Sequence, residues 1–81
     1  MITYKFNKDS RVEFSEDIKG NFCPVFISNG QREVIPLCME KDDVKDALKK
    51  FKRIKLDGLS FDVAAMTVAG GILFAMRRKT F

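Results

Sequence analysis

The side chains that could do chemistry in this 81-residue chain are Cys23, Cys38 and a run of aspartates, Asp42, Asp43, Asp46, Asp57 and Asp62; there is no histidine. Without an imidazole, the Ser-His-Asp and Cys-His nucleophile arrangements are excluded, as is every metal site built on histidine. A nucleophilic cysteine needs a lysine or a helix terminus to hold it as thiolate. Cys23 instead stands in a strand-like run just before Pro24, where a cysteine behaves as a small buried hydrophobe, and Cys38 is no better placed. Zinc requires four ligands, and the two cysteines lack a Cys-x-x-Cys spacing, so only a symmetric dimer giving two cysteines per chain could complete a site. The aspartates could supply a hydrolase pair, but Asp42, Asp43 and Asp46 have the positions of helix N-terminal charges and Asp62 is expected to face Lys79 across a hairpin. Gly70-Gly71 lacks the spacing and the lysine of a phosphate loop. The sequence therefore predicts no enzyme, no cofactor and no metal site.

Binding remains, and its best signal is the segment 42–55, DDVKDALKKFKRIK. Val44, Ala47, Leu48, Phe51 and Ile54 fall within an arc of about 120° at 100° per residue, a normal core-facing stripe. Lys41, Lys45, Lys49, Lys52 and Arg53 occupy one adjoining flank. This spacing predicts one amphipathic, basic helix over residues 42–54. Part of its charge pattern is structural: Asp42 and Asp43 stand in the first turn and Arg53 and Lys55 in the last, as the helix dipole favours, and Asp46 precedes Lys50 by four residues. A second basic cluster, Arg77, Arg78 and Lys79, would join the flank in one surface if the last segment packed beside the helix.

The elements that must position these residues read as follows. Ile2, Tyr4 and Phe6, then Val12 and Phe14, alternate with polar residues and predict a first hairpin. Pairing Phe6 with Val12 and Tyr4 with Phe14 sets Lys5 opposite Glu13 and leaves a five-residue loop. NFCPVFIS and QREVIPLC flank Asn29-Gly30, the strongest short hairpin signal, and place Val25 opposite Val34 and Phe26 opposite Glu33. Cys23 and Cys38 then share a face one diagonal step apart, and in a reducing compartment we read them as unpaired thiols. Pro24 and Pro36 each remove a ladder donor and belong at edges, ends or bulges. Residues 59–80 can be read in two ways. The preferred one is a hairpin turning at Gly70-Gly71, with Val68 opposite Leu73; the competing one makes Ser60 an N-cap and residues 61–69 a short helix ending at the glycines. The expected fold is α+β, a single domain over residues 1–81, with an antiparallel sheet in the order ββββαββ and one amphipathic helix packed on one face.

At this length a core alone gives only a few kcal/mol, so a homodimer is plausible, and eight phenylalanines supply the apolar mass. The net charge of +4 is uneven: residues 1–40 hold five basic and six acidic side chains, residues 41–81 ten and five. Such asymmetry points to an acidic macromolecular partner, with a protein ahead of nucleic acid because no recognition signature for DNA or RNA is present. Two cysteines and no signal peptide lead us to expect a cytoplasmic location. The uncharged run 63–76 is too short for a membrane span. We therefore expect a non-catalytic inhibitor or adaptor, of the kind found among accessory proteins of viruses and mobile elements, that binds through Lys45, Lys49, Lys52, Arg53, Arg77, Arg78 and Lys79. The alternative is a nucleic-acid-binding protein using the same helix and C-terminal strand.

Overall fold

Period-2 alternation in the first half of the chain and helical periodicity in the second sort the molecule into two layers. The computed structural model describes residues 1–77, in the order β1 (Ile2–Lys5), β2 (Ser10–Glu16), β3 (Phe22–Ser28), β4 (Gln31–Val34), α1 (Lys41–Phe51) and α2 (Phe61–Arg77). The strands form one antiparallel sheet, β1-β2-β3-β4. The fold is thus α+β, but the expected ββββαββ order is corrected: one long helix replaces the last two strands, and two helices rather than one share the core with the sheet.

Asn29 and Gly30 adopt φ of 52° and 83°, the pair of positive angles that a type I′ turn demands. Val25 accordingly faces Val34 and Phe26 faces Glu33. The first hairpin departs from its expected register by two residues, with Ile2 opposite Phe14, Tyr4 opposite Val12 and Lys5 opposite Arg11. A shift of two preserves which side chains face the core, so the alternation alone cannot tell the two registers apart. The Asn7 side chain decides between them: its Oδ1 accepts the N–H groups of Asp9 and Ser10, both at 2.9 Å, and shortens the loop. The Phe6 N–H still donates across the hairpin to the Ser10 carbonyl at 2.9 Å, and its ring joins an aromatic cluster, 5.0 Å from Tyr4 and 5.1 Å from Phe51 between centroids.

Cys23 and Cys38 form a disulfide, which corrects the reading of them as separate thiols. After Val34 the chain bulges through a tight turn in which the Leu37 N–H donates to the Ile35 carbonyl at 2.8 Å, and it then rejoins β3 where Phe22 and Met39 exchange two backbone hydrogen bonds. That bulge, with Pro36 in it, absorbs two residues, so the cysteines move from a diagonal step to directly opposite positions with Cα atoms 4.3 Å apart. Pro24 lies within β3, and its carbonyl accepts the Ile35 N–H on the β4 side. Its missing donor therefore falls beyond the last β3–β4 pair.

A reciprocal capping box between Glu40 and Asp43 starts α1, and Lys49 and Lys50 occupy its last turn. The helix is shorter at its C-terminal end than expected, because Arg53 and Ile54 donate to the carbonyls three residues back, Lys50 and Phe51, in a tighter turn. Phe51 is fully buried against Tyr4, Phe6 and Phe14.

α2 starts where the competing reading placed it: the Ser60 hydroxyl accepts the Val63 N–H at 3.3 Å and the Ser60 carbonyl accepts the Ala64 N–H at 2.9 Å. It then runs straight through both glycines, overturning the preferred hairpin and the predicted stop at residue 69. Ala64, Ala65, Val68, Ile72 and Ala75 recur at helical spacing and are all buried, a stripe that a strand would have split between two faces. Gly71 has a packing reason, since a Cβ there would stand 3.1 Å from Ile54 Cδ1 and 3.7 Å from the Phe51 ring. A glycine in a helix interior costs about 1 kcal/mol against alanine, and close approach to α1 offsets it. Asp62 becomes a first-turn charge of α2, while Lys79, its expected cross-strand partner, lies outside the described residues, and Val68 and Leu73 lie on one helix, the first buried and the second exposed.

Candidate docking surface

Four of the basic residues singled out by the sequence stand together. Lys45 and Lys49 project from α1, Lys52 caps its C-terminus and Arg53 follows, and all four are exposed. Burial of Val44, Ala47 and Phe51 on the opposite side fixes the direction in which this flank faces. Asp42, in the first turn, stands on the same flank; the ion pair Arg11–Glu13, at 2.9 Å, belongs to β2. Arg77 enters the description only as the last backbone position of α2, at the end of a helix and not of a strand, and Arg78 and Lys79 lie outside the described residues.

Lys50 links this flank to α2. Its Nζ sits 4.5 Å from the centroid of the Phe74 ring, a cation–π contact rather than the Asp46 pairing that its spacing allows. Phe74 belongs to an outer face of α2 that carries no charge between Asp62 and Arg77. Val63 is 48% exposed there, Met66 71%, Leu73 46% and Phe74 54%. Sequence reasoning missed this apolar face because it took the same residues for a hairpin. The signal that could have found it is the spacing 63, 66, 70 and 73 on the side opposite the alanine stripe.

The solvent face of the sheet holds a second basic feature that sequence reasoning also missed. With Lys5 opposite Arg11, Arg11 opposite Ile27 and Ile27 opposite Arg32, three cations cross the sheet in one row. The expected register hid this row by setting Lys5 against Glu13. Beside it, Lys5, Asn7, Lys8, Asp9, Ser10 and Arg11 line a shallow polar cavity of about 60 Å³. No aromatic residue stands in that row or the next, Thr3, Glu13, Val25 and Val34. Phe14, Phe22, Phe26 and Phe51 are core, Phe6 and Phe61 pack against it, and Phe74 is on α2.

The remaining chemical groups are occupied or dispersed. The cysteines are joined, which removes the ground on which a reducing, cytoplasmic location was expected. Asn7 Nδ2 donates to Asp57 Oδ1 at 2.9 Å, tying the first loop to the link between the helices. Among the described residues no three Cys, Asp or Glu side chains gather in a way that could hold a metal ion, and no helix is long and apolar enough to cross a membrane. Comparison with protein-family models, with curated proteins and with solved structures finds no match to this chain.

Proposed function

We propose that this protein is a non-catalytic binding module, an inhibitor or adaptor, that docks the exposed flank of α1 on an acidic surface of a partner protein. The observation that carries this reading is the cluster Lys45, Lys49, Lys52 and Arg53, exposed together on one flank of α1. Four exposed cations on one flank of a helix provide steering and register for an oppositely charged surface. The chain also offers no histidine for nucleophile activation.

Nucleic acid is the second reading, favoured by the row Lys5, Arg11 and Arg32 across the open sheet. It ranks lower because binding a single strand on a sheet needs stacking aromatics, and that face has none in these rows.

The test compares the protein with its K49E/K52E/R53E variant. All three positions are exposed at or near the C-terminal end of α1, so the far-UV spectrum should be unchanged while the reversed charges, opposed to the helix dipole, cost about 1–3 kcal/mol in total. A stoichiometric partner captured by the original from its native host should be lost by the variant, and raising the salt concentration should weaken the original complex. A partner retained at full strength by the variant would overturn the reading. Anisotropy titrations with single-stranded and duplex DNA and RNA at roughly 50 and 200 mM salt decide the second reading, since phosphate-driven binding collapses over that range.

A further inference from the structure

We infer that α2 is the interface of a symmetric homodimer, in which two copies of the helix pack antiparallel across a two-fold axis at Gly70. Three features of this one element lead there.

First, α2 has no polar face to give to water. From Val63 to Met76 it carries no charge, its inner side is sealed in the core, and its outer side exposes Val63, Met66, Leu73 and Phe74. A helix that is apolar all round is stable only when covered. The exposed apolar area is on the order of 450 Å² per copy, beyond scattered surface hydrophobes; two copies supply roughly 900 Å², which a polar rim extends to the size of a specific interface.

Second, the pattern is self-complementary about one residue. Gly70 is exposed, and a Cβ built on it meets nothing within 4 Å, so the helix surface is flat at its midpoint and a second backbone can approach closely. An antiparallel copy centred on Gly70 sets residue 66 against residue 74 and residue 63 against residue 77. Met66 then meets the Phe74 ring of the second copy, a favourable sulfur–aromatic contact made twice. The 63, 66, 70, 73 spacing is the seam of a paired helix.

Third, the charges agree with that direction and oppose the parallel one. Asp62 sits in the first turn and Arg77 is the last helical position. Antiparallel packing sets the N-terminal end of each helix, with Asp62, against the C-terminal end of the other and opposes the helix dipoles, whereas parallel packing stacks like ends on like.

Each copy brings its own α1 flank, so the dimer carries the basic surface twice. The dimer itself does not depend on the acidic-partner reading, and the two can fail separately.

Sedimentation of the purified chain from about 1 to 200 µM should take the mass from one copy to two, because association follows mass action. M66E/L73E should sediment as a single copy over the whole range with an unchanged far-UV spectrum, while K49E/K52E/R53E should dimerise like the original. Oxidised Gly70→Cys should be trapped as a covalent dimer in high yield, and Lys8→Cys, on the first loop, should not. A single copy at the highest concentration, a dimer that survives M66E/L73E, or equal cross-linking of both cysteine variants overturns the proposal. So does a single-copy protein that floats with anionic phosphatidylserine vesicles through the same residues, which would assign the face to a lipid surface.

Discussion

Replacing Gly70 and Gly71 one at a time by alanine separates a continuous helix from a turn at this pair. Nothing lies within 4 Å of a Cβ at Gly70. Gly70→Ala should therefore gain helix propensity and lose unfolded-state freedom without a clash, stabilising the fold by about 0.5–1 kcal/mol. A Cβ at Gly71 meets Ile54 Cδ1 at 3.1 Å and two Phe51 ring carbons at 3.7 and 3.8 Å. The Ile54 methyl group must retreat by a few tenths of an ångström, while Phe51 behind it is locked among three other aromatic rings. Overpacking of this mild kind costs about 1 kcal/mol or somewhat more, enough to cancel the same propensity gain. The two variants should thus differ by about 1–2 kcal/mol, or roughly 5–10 °C in melting midpoint for a chain of this size, with Gly70→Ala the more stable. Urea unfolding followed by far-UV circular dichroism measures the difference, at dilutions where the midpoint no longer depends on protein concentration. In a two-residue hairpin turn both positions need positive or otherwise glycine-like φ, and alanine would destabilise at either. A Gly70→Ala variant less stable than the original by 1 kcal/mol would refute the continuous helix.

Two further perturbations test how the layers are held. Phe51→Ala removes the ring that joins α1 to β1 and β2, fully buried and within 6.2 Å of the centroids of Tyr4, Phe6 and Phe14; a loss of about 3–5 kcal/mol in urea unfolding is expected, and a loss below 1 kcal/mol contradicts its central position. Reducing the Cys23–Cys38 bond, which closes a separation of 15 residues, should cost about 3 kcal/mol by loop entropy and lower the melting midpoint by roughly 10–20 °C. Two freely reacting thiols in the folded, unreduced protein would rule the bond out.

What could be read from the sequence follows how local each determinant is. The Asn29-Gly30 hairpin was legible in full because two adjacent residues set its backbone angles and hence its register. The first hairpin was legible only to the face: alternation fixed which side chains turn inward, and the two-residue choice belonged to the carbonyl oxygen of the Asn7 side chain. The basic flank of α1 was visible because helical spacing places it directly, whichever way the rest of the chain folds.

Gly70-Gly71 shows why α2 was read differently. Locally, two glycines between short apolar runs satisfy every rule for a turn, and only a contact with residues about twenty positions earlier makes one of them a helix residue: Gly71 is small because Ile54 and Phe51 stand against it. Gly70 has no such neighbour among the described residues. A helix-interior glycine facing open space costs about 1 kcal/mol relative to alanine, with no return from the monomer fold. On one and the same helix, therefore, the inner glycine is accounted for by packing against α1, and the outer one is accounted for if a second helix approaches there. The exposed methionine, leucine and phenylalanine on either side of Gly70 point the same way. Under the proposed dimer, the physical reason for Gly70 lies in the second copy.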